Sequence, residues 1–174
     1  MNKSHLRTIA EGLNLLFISI ILMVFVIVPT VGRIAGLLTL CLSVYALSTM
    51  KAYHVKFRNA FFATIAALIL GMLSFVPFLG GLLTVRDIAN LVSAYMVCGA
   101  LDDIMRQYCK PQFPTGAFVW KLLLLYTILS AMLTFVRLPE PLAILILILS
   151  PVLLIFYMML LYKSSKALAA ATRK

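Results

Sequence analysis

Charged side chains are scarce in this chain: Asp, Glu, Lys and Arg together make up 11% of its 174 residues, against about 25% in an ordinary soluble domain. Apolar residues make up 64%, more than a soluble domain of this size can remove from water. This composition excludes both a soluble globular domain and a disordered chain. It predicts an all-α, polytopic integral membrane protein.

Cysteine, histidine and acidic residues are also few. The three cysteines, Cys41, Cys98 and Cys109, form no CxxC pair, and their odd number excludes a fully paired disulfide framework. The two histidines are His5 and His54, and the sequence has no HExxH, GxSxG or phosphate-loop motif. With only five acidic residues, a two-metal site is hard to build. We therefore expect no enzymatic activity, no metal and no cofactor.

Two of the five acidic residues are adjacent. Asp102 and Asp103 begin like the metal-binding DDxxD motif of membrane prenyltransferases, but Arg106 occupies the position of its third carboxylate. Metal-held diphosphate needs several carboxylate ligands, so this departure argues against that chemistry. We expect instead an ion pair between one of these aspartates and Arg106, three or four residues along the same helix.

Long apolar runs are abundant. A helix needs about 20 apolar residues to cross a bilayer, and six runs approach that length. The predicted spans are 13–31, 34–50, 60–78, 82–101, 117–136 and 141–162. They form a single transmembrane domain over residues 1–174, built as three consecutive helical hairpins. Proline marks each outer turn, and glycine accompanies it at 28–32 and 76–80, as expected where a helix ends and the chain reverses.

The basic residues orient this domain. Of the fifteen Lys and Arg residues, all but Arg33, Arg86 and Arg137 fall on the side that carries both termini. The positive-inside rule therefore places the N- and C-termini in the cytoplasm. Short loops without extracellular domains suggest the bacterial cytoplasmic (inner) membrane.

The net charge of +10 would suggest nucleic acid in a soluble protein, but here the basic residues flank apolar runs. That arrangement indicates contact with anionic lipid headgroups on the cytoplasmic side and no nucleic-acid partner. The predicted headgroup contacts are Lys51, Lys56, Arg58, Lys163 and Lys166.

Polar residues within a span are costly and are the natural candidates for a binding site. Arg86, Asp87, Asn90 and Ser93 form the richest such cluster, at the start of the fourth span. They either hold a charged or zwitterionic solute or act as ordinary interfacial charges that pair with neighbours.

Small residues indicate close helix packing. Gly32 and Gly36 form a GxxxG motif, and Ala63, Ala67 and Gly71 recur every four residues. Such ridges let helices approach closely in lipid, either within the monomer or in a homo-oligomer.

Two functions follow from this sequence. The scarcity of polar residues within the spans favours a non-enzymatic helper, assembly, stress-response or immunity factor that acts through helix packing and contacts with a partner membrane protein. The alternative is a solute-binding or transport component with a polar site near Arg86, Asp87 and Asn90.

Overall fold

The computed structural model describes residues 3–24, 32–73, 82–109, 113–135 and 140–173. Over these residues the chain forms six α-helices and no strand. The prediction of an all-helical fold is thereby confirmed. The helices are α1 Lys3–Val24, α2 Gly32–Met50, α3 Val55–Leu73, α4 Leu82–Tyr108, α5 Gly116–Phe135 and α6 Glu140–Arg173.

Four helices contain a segment long and apolar enough to cross a membrane, namely Lys3–Leu22, Val55–Leu73, Val85–Tyr108 and Ile148–Thr172. The corresponding stretches of α2 and α5, Leu38–Met50 and Gly116–Leu129, are shorter over the described residues. Several large apolar side chains of α3 to α6 point outward and are at least half exposed. Examples are Phe62, Ile69, Ile88, Ile128, Ile148 and Ile155. An outer surface this apolar suits lipid rather than water.

The helices pack as neighbours in chain order, and α6 closes the bundle by packing against α1. Within the first hairpin, Gly12 faces Met50 while Ser19 bonds Ser43. Within the second hairpin, Thr64 contacts Ser93. Gly71, further along α3, faces Arg86, which is earlier in α4. In both hairpins the pairings run in opposite directions along the two helices, so α1 and α2 are antiparallel, and so are α3 and α4.

The described core joins all six helices near the end that carries both termini. Its fully or almost fully buried members include one residue from each helix: Leu13, Leu47, Phe57, Leu101, Val119 and Leu161. The outer turns at 28–31, 76–80 and 136–139 lie outside the described residues.

Four helices extend beyond the predicted spans at the end that carries the termini. α1 begins at Lys3 rather than near residue 13, α3 begins at Val55 rather than near residue 60, α4 continues to Tyr108, and α6 continues to Arg173. These extensions are amphipathic: Leu6 and Leu168 are buried while Arg7 is exposed. A continuous apolar run ends where one face of the helix becomes polar. The helix itself continues beyond that point, because its other face is apolar and packs in the core.

Candidate functional site

The polar cluster predicted on α4 divides into separate contacts. The guanidinium of Arg86 donates to Asp87 Oδ1 from Nη2 at 2.8 Å and from Nε at 3.0 Å. The two side chains remain 38% and 59% exposed. Asn90 is exposed one turn further along the helix. The structure thus brings Arg86 and Asp87 together at the surface of α4.

Ser93 faces a different neighbour. Its hydroxyl lies 2.7 Å from the Thr64 hydroxyl and 3.2 Å from the carbonyl oxygen of Ala60. Thr64 donates to the carbonyl of Ala60 at 2.9 Å, which leaves its oxygen to accept from Ser93. Both hydroxyl residues are buried, so Ser93 joins α4 to α3 and does not contact Arg86 or Asp87. Solute binding by the four residues together stays a prediction.

The small residues of α3 lie at this same helix contact. Ala60, Thr64 and Ala67 are buried, and Ala63 is half-buried. A Cβ added to Gly71 would lie 3.3 Å from Cδ of Arg86 on α4. The buried face is spaced by alternating steps of four and three residues, as a packed helix requires. Gly32 and Gly36 lie in the first two turns of α2, and their role in packing stays a prediction.

Lys56 and the end of α4 form an ion-paired cluster. Lys56 Nζ lies 2.6 Å from Asp103 Oδ2 and donates to the carbonyl of Gly99 at 3.4 Å. His54 Nε2 lies 3.7 Å from the same Asp103 oxygen, while its Nδ1 accepts the backbone N–H of Lys56. The structure therefore gives Lys56, predicted to contact lipid, a partner within the protein.

The other predicted headgroup contacts have aromatic or open surroundings. Lys51 Nζ lies 4.3 Å above the Phe61 ring, and Lys166 Nζ lies 4.6 Å from the centre of the Tyr162 ring. Arg58 is exposed. A cation over an aromatic ring is attracted by the ring quadrupole, so each of these lysines has an aromatic partner within the protein.

Asp102 caps the fifth helix. Its two carboxylate oxygens each accept one backbone N–H at 2.7 Å, from Gly116 and from Ala117. The hydroxyl of Thr115 accepts a further N–H, from Phe118 at 3.3 Å. The first N–H groups of a helix have no partner within it, and a carboxylate there is favoured by the helix dipole. Asp102 thereby joins the second hairpin to the third.

This cap replaces the ion pair expected at the end of α4, and that expectation was wrong. Among the described residues, neither Asp102 nor Asp103 pairs with Arg106. Both carboxylates instead find partners on other helices, Asp102 on α5 and Asp103 on α3. Gly116 makes the arrangement possible, because a Cβ at this position would overlap the carbonyl of Cys98. The sequence signal was the Pro-Thr-Gly at 114–116, typical of a helix start.

A cavity of about 230 Å³ with a mixed polar and apolar lining lies beside this cap, between α4, α5 and α6. Its polar lining comes from Asp102, Arg106, Thr115, Lys163 and Ser164. Ser164 is only 2% exposed and makes no hydrogen bond to any residue that the structure describes. We call this cavity the α4–α6 pocket.

Three phenylalanines lie next to the α4–α6 pocket. The rings of Phe113, Phe118 and Phe156 contact one another, with centroids 5.1 to 6.2 Å apart. Lys163 Nζ donates to the carbonyl of Phe113 at 2.8 Å. Phe113 is 59% exposed, so this aromatic cluster presents an apolar surface beside the pocket.

A larger, open groove of about 730 Å³ runs between α1 and α6. Its lining includes Arg7 and Glu11, which form an exposed ion pair at 3.0 Å. Across the groove Ser165 donates to the carbonyl of Ala10 at 2.9 Å. The part of the chain that the structure describes contains no group of three metal-ligating side chains.

Comparison with known proteins adds no relative: no family model, curated protein or solved structure matches this chain.

Proposed function

We propose that this chain is a non-enzymatic membrane protein that acts as a helper, assembly, stress-response or immunity factor through contacts with a partner membrane protein. The observation that supports this function is the use of buried hydroxyl groups. Ser43 donates to Ser19 at 3.0 Å, and Thr64 and Ser93 bond at 2.7 Å. These polar side chains join helices to each other, and the outward faces are apolar and suited to another helix.

The proposal includes six membrane spans and two cytoplasmic termini. Support comes from the grouping of Lys51, Lys56, Arg58, Lys163 and Lys166 near the end that carries both termini, since positive charge favours the cytoplasmic side. Reporter tags on each terminus should be accessible only from the cytoplasm. Accessibility of either terminus from the opposite side would contradict the orientation.

The function is tested by purifying the full chain from its host in nanodiscs, followed by native mass spectrometry. A second protein in stoichiometric amount supports the helper function and identifies the pathway. A bound small molecule without a partner protein would contradict it and favour a carrier.

A solute-binding function remains the second candidate because Arg86 and Asp87 stay partly exposed beside Asn90. An Asp87→Asn variant should then lose transport or binding while folding normally. Glu11→Gln is the matched control, since Glu11 is also an exposed acid in an ion pair. Equal activity of the two variants would reject this candidate.

A further inference from the structure

The α4–α6 pocket has an excess of hydrogen-bond donors. Asp102 is its one acidic residue, and both carboxylate oxygens already accept backbone N–H groups. Lys163 uses one of its three N–H donors on the carbonyl of Phe113. Arg106 makes no ion pair with the described residues, and its guanidinium has five N–H donors.

Ser164 adds a hydroxyl to the lining of the pocket. Its side chain is almost fully buried and makes no hydrogen bond to the described residues, so the hydroxyl is available to a group inside the cavity. Ser164 lines the cavity at 2% exposure, and the cavity of about 230 Å³ far exceeds the ~10–15 Å³ that one water needs. Two cations and a hydroxyl around such a space fit a tetrahedral oxyanion, which accepts several hydrogen bonds at once.

The surroundings of the pocket favour an amphiphile. Pro114 lines the pocket, and its neighbour Phe113 belongs to the exposed aromatic cluster with Phe118 and Phe156. The pocket also lies near the ends of two segments that are apolar enough to cross a membrane, Val85–Tyr108 and Ile148–Thr172. A phosphate in the pocket would therefore have an apolar surface beside it for an acyl chain.

We propose that the α4–α6 pocket binds the phosphate group of an anionic phospholipid through Arg106, Lys163 and Ser164, with its acyl chain on the Phe113 cluster. In this site Lys163 contacts a lipid headgroup, as the sequence predicts. Arg106 and Ser164, which were not among the predicted headgroup contacts, bind the same phosphate. It rests on the membrane placement in the proposed function but not on the helper role.

The test is native mass spectrometry of the full chain. The chain is titrated in detergent micelles with phosphatidylglycerol or phosphatidylcholine and is then released from the micelles for the mass measurement. The wild type should retain phosphatidylglycerol in preference to phosphatidylcholine. Replacing both Arg106→Gln and Lys163→Gln should weaken phosphatidylglycerol binding at least about tenfold, since two charge-assisted contacts are lost. The Ser164→Ala variant should weaken it about threefold or more.

The matched control is the pair Arg7→Gln and Lys121→Gln, which removes the same charge from exposed positions outside the pocket. It should change phosphatidylglycerol binding less than about twofold, because neither residue lines the pocket. Diffuse attraction, which depends on charge alone, would instead fall equally in both double variants. Equal losses in the two double variants would overturn the proposal. Since Lys163 also contacts Phe113, Arg106→Gln alone provides a second variant, and unchanged lipid binding by that variant would also overturn it.

Soluble phosphate distinguishes the two possible sources of the ligand. Inorganic phosphate and glycerol 3-phosphate at millimolar concentration should not displace the lipid if the Phe113 cluster contributes. Complete displacement would overturn the lipid assignment in favour of a soluble phosphate compound. Neither result depends on a partner protein, so failure here is distinct from failure of the helper function.

Discussion

Removing the carboxylate of Asp102 should detach the start of α5 from α4. Asp102 accepts two backbone hydrogen bonds at 2.7 Å, from Gly116 and Ala117. A hydrogen bond to a charged group contributes about 1.5–3 kcal/mol, and an N-terminal cap about 0.5–2 kcal/mol. Because the site is partly open to solvent, we take two such bonds at their lower value, about 3 kcal/mol, as the upper bound and the largest cap value, about 2 kcal/mol, as the lower bound. Asp102→Ala should therefore lower the free energy of unfolding by about 2–3 kcal/mol. Asp102→Asn, which keeps one acceptor oxygen, should cost about half as much.

The single tryptophan provides the assay. Trp120 lies in the second turn of α5, and its ring is 4.6 Å from that of Tyr95 on α4. Unfolding in detergent, followed by Trp120 fluorescence, therefore reports the contact that Asp102 holds. Asp87→Asn is the matched control, because its exposed ion pair should contribute no more than about 1 kcal/mol. Equal stability losses for Asp102→Asn and Asp87→Asn would refute this account of the cap.

Three further outcomes follow from the same helix contacts. Gly116→Ala should destabilise the chain by about 1–3 kcal/mol, because the new methyl group overlaps the backbone carbonyl of Cys98, as chemical unfolding would show. Ser93→Ala should lower the free energy of unfolding by about 0.6–1.7 kcal/mol, the range for interhelical hydrogen bonds in membranes, because its bond to Thr64 is lost. Burial raises the pKa of the Cys109 thiol above its model-peptide value of 9.0, so its alkylation rate should still be rising above pH 9, measured by mass spectrometry of the intact chain.

Each of these outcomes has a control within the chain. Gly71→Ala should cost less than Gly116→Ala, since its new methyl group meets only the flexible side chain of Arg86. Ser48→Ala should be nearly neutral, because Ser48 bonds only the carbonyl of Tyr45 in its own helix. If a Cys109 alkylation profile levels off below pH 9, burial does not control this thiol.

The number and order of the helices could be predicted because apolar runs are local features of the sequence. The positions of the helix ends depend in addition on packing against other helices. Leu6, Ile9, Leu13 and Leu16 are all buried, and their spacing of three or four residues is visible in the sequence, so the extended start of α1 could have been predicted from its amphipathic pattern. A search for continuous apolar runs misses it because Arg7 interrupts the run.

The partners of the polar residues could not be predicted in the same way. Asp103 pairs with Lys56 on α3, and Ser93 bonds Thr64. Each contact depends on the register between two helices, which the sequence of one helix does not contain. Local spacing favoured Arg106 as the partner of the aspartates, but contacts between helices offered stronger hydrogen bonds to backbone N–H groups.

The three hairpins are joined to one another by specific contacts near the end that carries the termini. Lys51, after α2, lies over Phe61 of α3; Asp102 of α4 caps α5 at Gly116. These contacts matter because apolar helices in lipid gain little from apolar contact alone, since the surrounding lipid is equally apolar. Directional contacts must therefore select which hairpins are neighbours.

The last contact closes the ring, because Ser165 of α6 donates to the carbonyl of Ala10 in α1. In a closed ring of three hairpins, loss of one contact separates one pair of neighbouring hairpins and leaves the other two pairs in contact. The Asp102 variants should therefore loosen the third hairpin while α3 and α4 remain joined through Thr64 and Ser93. A loss of Trp120 contact without a loss of α3–α4 contact would distinguish this ring from a bundle held by one continuous apolar core.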